Sequence, residues 1–184
     1  MTKVMTVLFA LLAPISGWTD GHTPTQAYLG FYYFSAPDPA AVVSAVDKFY
    51  ASDCGKRYPA DVALAEQIFN GSDPSTHFFL NTYEDAAAQQ EAAEIFRNCP
   101  AAIAFLTELS ESGVVFTAEH LSFALVAEGD STKDFAFAKF DVKVESQYQQ
   151  AYATAFATMM NSAAKDVALR SYGNNLAGFG NDRF

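Results

Sequence analysis

The chain lays out one pattern twice. An aromatic, strand-like run leads into a helix-like stretch and then into the tetrapeptide Asp-Val-Ala-Leu. That tetrapeptide begins at Asp61 and again at Asp166, 105 residues later. Such a spacing suits a whole small domain of mixed helix and strand, because solenoid units repeat every 20–50 residues or so. The second copy reaches Phe184 at the point where the first enters its third strand. The expectation is one full unit followed by part of another. Either a longer natural chain supplies the remaining strands, or the partial unit docks on the first copy or on another chain.

Residue order in the first copy specifies the elements. Tyr28-Leu29-Gly30-Phe31-Tyr32-Tyr33-Phe34, within a strand over 27–35, is apolar on both alternating faces, the pattern of a strand buried on both sides. Asp38 is a good N-cap and Pro39 fits the first turn of a helix carrying Val42, Val43, Val46, Phe49 and Tyr50. A polar loop over 52–59 precedes a strand over 62–69, the turn Asn70-Gly71-Ser72-Asp73-Pro74, and a hairpin partner over 76–83. Glu84 and Asp85 open a second helix, which Pro100 interrupts beside Cys99 and Gly113 ends. A long strand over 114–127 follows. The order strand, helix, strand, strand, helix, strand is the α+β, ferredoxin-like split βαβ arrangement. In the second copy, 135–144 alternates as a strand and Ser146 caps a helix with Tyr148, Tyr152, Phe156 and Met159. Residues 167–172 read as the next strand, with turns at 173–175 and 178–182.

At 51% hydrophobic and 15% aromatic, the chain can bury a real core. Its net charge of −10 repels phosphate backbones and anionic lipid, which argues against nucleic acid as a partner. Residues 1–17 read as a signal peptide: Lys3 is the positive start, Val4 to Ala13 the apolar stretch, and Pro14, Ser16 and Gly17 the cleavage region. The apolar stretch is too short to span a bilayer. A membrane anchor and a buried first strand are the competing readings. The division is then a signal at 1–17, a leader at 18–26, unit one at 27–128 and a partial unit two at 134–184. The mature chain is expected in the periplasm or secreted, with no membrane attachment after signal removal. There an oxidising environment favours a disulfide between Cys54 and Cys99, the alternative being two half-buried thiols.

The candidate chemistry is sparse. His77 and His120 fall in strands expected to flank the first, so both suit acid/base work on one cavity, or a satisfied structural role. No ligand spacing supports a metal. Glu66 and Glu119 place carboxylates within strands, where burial costs free energy unless the charge is paired or used. Glu66 is a candidate general base; its alternative is an edge-strand charge that blocks aggregation. Tyr32, Tyr33 and Tyr83 can position an aromatic substrate or simply fill the core. No dinucleotide, P-loop or serine-hydrolase motif is present.

The strand over 28–35, helix over 39–51, strands over 62–69 and 76–83 and the broken helix together resemble the dimeric α+β barrel superfamily. This includes antibiotic-biosynthesis-monooxygenase-like and stress-responsive barrel domains. The resemblance covers 27–128 once and the second copy in part. It implies two ferredoxin-like units with their sheets paired around a shared barrel, as a homodimer or an intramolecular pseudo-dimer. Members include cofactor-independent oxygenases, haem enzymes and isomerases, so architecture is implied far better than chemistry. No cofactor is expected from the residues themselves; the resemblance leaves haem open.

Two functions follow as expectations. One is an exported domain that binds or oxidises a small apolar or aromatic compound in a cavity between two sheets, with Glu66 and His77 catalytic and Tyr32 and His120 holding the compound. The other is a non-catalytic exported interaction domain whose sheets are self-paired. A cavity lined by Glu66 or His77 favours the first, and a face filled by Phe and Tyr the second.

Overall fold

The computed structural model describes residues 27–129, 138–140, 142–163 and 169–179. The expected signal peptide and leader lie outside these residues. Strands β1 (Tyr28–Ser35), β2 (Asp61–Glu66), β3 (His77–Tyr83), β4 (Val115–Gly129) and β5 (Leu169–Phe179) form one sheet in the order β2-β3-β1-β4-β5. Every pairing is antiparallel. Helices α1 (Pro39–Ala51), α2 (Ala86–Asn98) and α3 (Pro100–Glu111) belong to the first unit, and α4 (Gln149–Ala163) to the second.

Helix starts follow the local chemistry. Asp38 Oδ1 accepts from the Ala40 and Ala41 amides at 3.1 and 3.2 Å, and Asp85 Oδ1 from the Ala88 amide at 2.8 Å. Each bond satisfies a donor that a helix start leaves without an intrahelical partner. Pro100 at the start of α3 separates it from α2 at Cys99. Gly113, at φ +83°, then turns the chain into β4, a conformation that costs glycine little.

Side-chain alternation along β1 divides the core. Tyr32 and Phe34 face the helices, where Phe34, Phe79, Val42, Phe49, Ala102, Phe105 and Leu109 form one buried cluster. Phe31 and Tyr33 face the other way and pack with Phe78, Ala65 and Ala118. Phe49 is the aromatic centre of the helix side, with the rings of Tyr50, Tyr58, Phe96 and Phe105 all within 5.7 Å. A disulfide joins Cys54 to Cys99 across 6.6 Å between Cα atoms, tying the turn after α1 to the α2–α3 junction.

Three details depart from the sequence reading. Strand β2 ends at Glu66, and Ile68 and Phe69 lie exposed in the hairpin loop, not in a strand. That loop closes on itself: Asn70 Nδ2 donates to the Asp73 and Ser75 carbonyls, and Asp73 Oδ1 accepts from the Ser75 amide. Its own polar groups are thus satisfied without strand pairing. Residues 138–140 and 142–145 carry no strand, because β5 occupies the edge of β4; the rest of the expected strand over 135–144 lies outside the described residues. Finally, β5 runs straight through Gly173-Asn174-Asn175, which reads as a turn. Register shifts at Leu121/Ser122 and Ala124/Val126 absorb the irregular stretch, as bulges do. Both copies thus send the segment that follows their helix to a sheet edge, β2 beside β3 and β5 beside β4.

The disulfide closes a loop of 45 residues. Replacing Cys54 and Cys99 by alanine is expected to lower unfolding stability by roughly 2–5 kcal/mol, read from denaturant midpoints. An unchanged midpoint would contradict this.

Candidate functional site

Three phenols and one amide meet on the helix side of β1 and β3. Tyr83 and Asn81 lie two residues apart on β3, and so on one face; Tyr32 comes from β1 and Tyr58 from the turn after α1. Asn81 Nδ2 donates to the Tyr58 hydroxyl at 2.8 Å and to the Tyr83 hydroxyl at 3.0 Å. The Tyr83 hydroxyl lies 3.3 Å from that of Tyr32 and 3.4 Å from that of Tyr58. Gly30 makes the arrangement fit. A Cβ there would lie 3.0 Å from the Tyr32 ring and 3.3 Å from the Tyr83 ring, so a larger residue would press these rings aside by a few tenths of an ångström.

The amide is the informative member. Asn81 is 6% exposed, and its Oδ1 is buried with no hydrogen-bond partner among the described residues. Turning the amide over would let Oδ1 accept from the phenols but strand the two N–H donors instead. In either orientation one end of a buried amide is unmatched, at a cost of about 1–3 kcal/mol. Such a group has unused hydrogen-bonding capacity that an ordered water or another polar partner would satisfy.

Burial, and then the neighbouring Tyr83, raises the phenol pKa values of Tyr32 and Tyr58 far above the ordinary range. Tyr50, beside them, is raised by burial, then by Tyr83 and Asp61. These phenols stay protonated at neutral pH and act as hydrogen-bonding groups, not as bases. Glu119 stands directly across from Tyr32 on β4, half-buried, and burial raises its carboxyl pKa.

The residues singled out in the sequence separate into three places. Tyr32 is in the phenol cluster. Glu66 and His77 pair across β2 and β3 at the far end of the sheet, with Glu66 exposed. His77 Nδ1 lies 2.8 Å from Thr76 Oγ1, and its ring stacks on Phe34 at 5.8 Å. Burial lowers the His77 pKa, and the Glu66 charge opposes that shift. His120 is on the opposite face, 3% exposed and stacked on Phe31 at 4.7 Å and Tyr33 at 5.6 Å. His77 and His120 therefore do not share a cavity: their register positions on β1, Phe34 and Phe31, have opposite parity. The opposite face is filled by Phe31, Tyr33 and Phe78, with Lys139 Nζ 4.7 Å above the Phe31 ring. Among the described residues no group of three or more His, Cys, Asp or Glu side chains can hold a metal ion. Asn81 and Tyr58 escaped sequence reasoning. The signal for Asn81 was an amide inside the apolar run His-Phe-Phe-Leu-Asn-Thr-Tyr; Tyr58, in a polar loop, gave none.

Comparison with known proteins bears on the fold. No protein-family profile and no curated protein sequence matches the chain significantly. Among solved structures, it is similar to a protein of Fusobacterium nucleatum assigned as a monooxygenase, at 14% identity and a TM-score of 0.53, covering 83% of this chain and 71% of that one. It is also similar to a dimeric ferredoxin-like protein from an uncultured marine organism, at 13% identity and a TM-score of 0.40, covering 55% of this chain and 97% of that one. The hydroxynitrile lyase of Passiflora edulis aligns at 13% identity and a TM-score of 0.35, over 54% of this chain and 94% of the lyase. The Fusobacterium alignment extends past β4 into the second copy, and it alone bears on the fold. The fold is α+β and ferredoxin-like, with one unit and part of a second.

Two pH responses follow. The unfolded chain ionises its tyrosines near pH 10 while Tyr32, Tyr50 and Tyr58 resist, so the unfolded state binds fewer protons and stability falls as pH rises above about 10. In an alkaline titration of phenolate absorbance, these phenols are expected to ionise only with unfolding; smooth titration of all nine tyrosines in the folded chain would contradict this. At His77 the Glu66 charge favours protonation, so Glu66→Gln is expected to lower the His77 pKa further, measured by NMR titration. An unchanged or raised value would show that the two do not interact.

Proposed function

We propose that the chain is an exported small-molecule-binding domain whose ligand sits against Tyr32, Tyr58, Tyr83 and Asn81, between sheet and helices. The observation that carries this reading is the buried Asn81 amide with one end unmatched among three converging hydroxyls. The ligand is a small, largely apolar or aromatic compound with a polar group for the amide, since the neighbouring side chains are tyrosine rings and Val62. Export is supported by the signal-like residues 1–17 and by the Cys54–Cys99 disulfide. Both agree with a periplasmic or secreted protein.

A second reading has its own observation. The sheet face away from the helices is packed with Phe31, Tyr33, Phe78 and Ala118, which suits an interaction domain that pairs as a homodimer or pseudo-dimer. The two readings use opposite faces and are compatible.

Benzyl alcohol, a small neutral aromatic with one hydroxyl, is a suitable probe. Calorimetric titration is expected to show saturable binding to the wild-type chain, and at least tenfold weaker binding to Asn81→Leu and Tyr83→Phe, a loss of about 1.4 kcal/mol or more. Equal affinity of both variants and wild type would overturn the site.

A further inference from the structure

We propose that Glu119 makes this a site for a small organic amine, bound as its ammonium cation between the Glu119 carboxylate and the tyrosine cluster. The inference rests on the ligand site proposed above and names the chemistry of its ligand.

The geometry is a cross-strand pair. Glu119 on β4 lies in direct register with Tyr32 on β1, so the two side chains leave the same face of the sheet as neighbours. The same row continues through Phe79 and Leu64. Glu119 is half-buried, yet no cation pairs with it among the described residues: Lys48 binds Glu108, Lys56 faces Asp53 and Arg97 faces Glu94. Lys139 lies over the opposite face, as does His120. His77 stands one row away beside Glu66. A carboxylate taken partly out of water without a counter-charge is costly, and its raised pKa reports that cost. An ammonium group removes it.

The surroundings suit the same ligand. Tyrosine rings attract cations through their faces by about 0.5–2 kcal/mol, and the cluster holds several within reach of one another. The unmatched end of Asn81 supplies a second, neutral contact. The net charge of −10 draws cations to the molecule and repels anions. An amide with one unmatched end and a half-buried carboxylate thus lie on one sheet face, with Tyr32 the direct cross-strand neighbour of the carboxylate.

The test compares benzylamine with benzyl alcohol, which share a ring and differ in charge, by calorimetry at neutral pH on the full chain and on Glu119→Gln. The variant keeps the shape and removes a half-buried charge, so it is expected to fold. Benzylamine is expected to bind wild type at least tenfold more tightly than benzyl alcohol, and Glu119→Gln to lose that preference while still binding the alcohol. Raising the salt concentration is expected to weaken the amine and leave the alcohol unchanged. Equal affinity of the two probes for wild type, or a preference that survives Glu119→Gln, overturns the amine assignment alone. Failure of both probes to bind wild type overturns the site and the amine assignment together.

Discussion

A central strand buried on both faces cannot leave either face to water, and β1 is that strand here. Its hydrogen bonds go to β3 on one side and β4 on the other. Its side chains divide by parity, so Phe34 and Tyr32 require helices above them while Phe31 and Tyr33 require a second cover below. The rest of the architecture meets these demands. The helices α1 and α3 bring Phe49, Phe105 and Leu109 to one face, and the disulfide holds the turn after α1 against the α2–α3 junction. Lys139, from the segment after β4, lies over the other face.

Parity also decides where chemistry can occur. The opposite face is occupied by packed rings, that of His120 among them, and the phenols and Asn81 lie on the helix side. There Gly30 omits a side chain, Tyr32 folds into the space, and Asn81 is drawn in among hydroxyls with more hydrogen-bonding capacity than its neighbours use. The amide sits at 6% exposure within an aromatic sheet, bonded to the Tyr58 and Tyr83 hydroxyls.

Much of the fold was legible because local chemistry and tertiary packing agree. Asp38 and Pro39 start a helix by capping geometry alone, Pro100 divides α2 from α3, and Gly113 turns the chain into β4. The β5 path was not legible, since Gly173-Asn174-Asn175 carries turn chemistry that pairing with β4 overrides. The site was only partly legible. Tyr32 stood out as an aromatic, but its partners Tyr58 and Asn81 depend on contacts across 20 residues or more that no local pattern encodes. His77 and His120 lie on the two strands that flank β1, and only the register reveals that they point to opposite faces.

The central claim is that ligand chemistry belongs to the helix side of the sheet, not to a cavity between sheets. Residue-resolved NMR during titration with benzylamine tests this most directly. The largest shifts are expected at the side chains of Asn81, Tyr32, Tyr58, Tyr83 and Glu119. Largest shifts at Phe31, Tyr33, Phe78 and His120, with the phenol cluster unmoved, would contradict it.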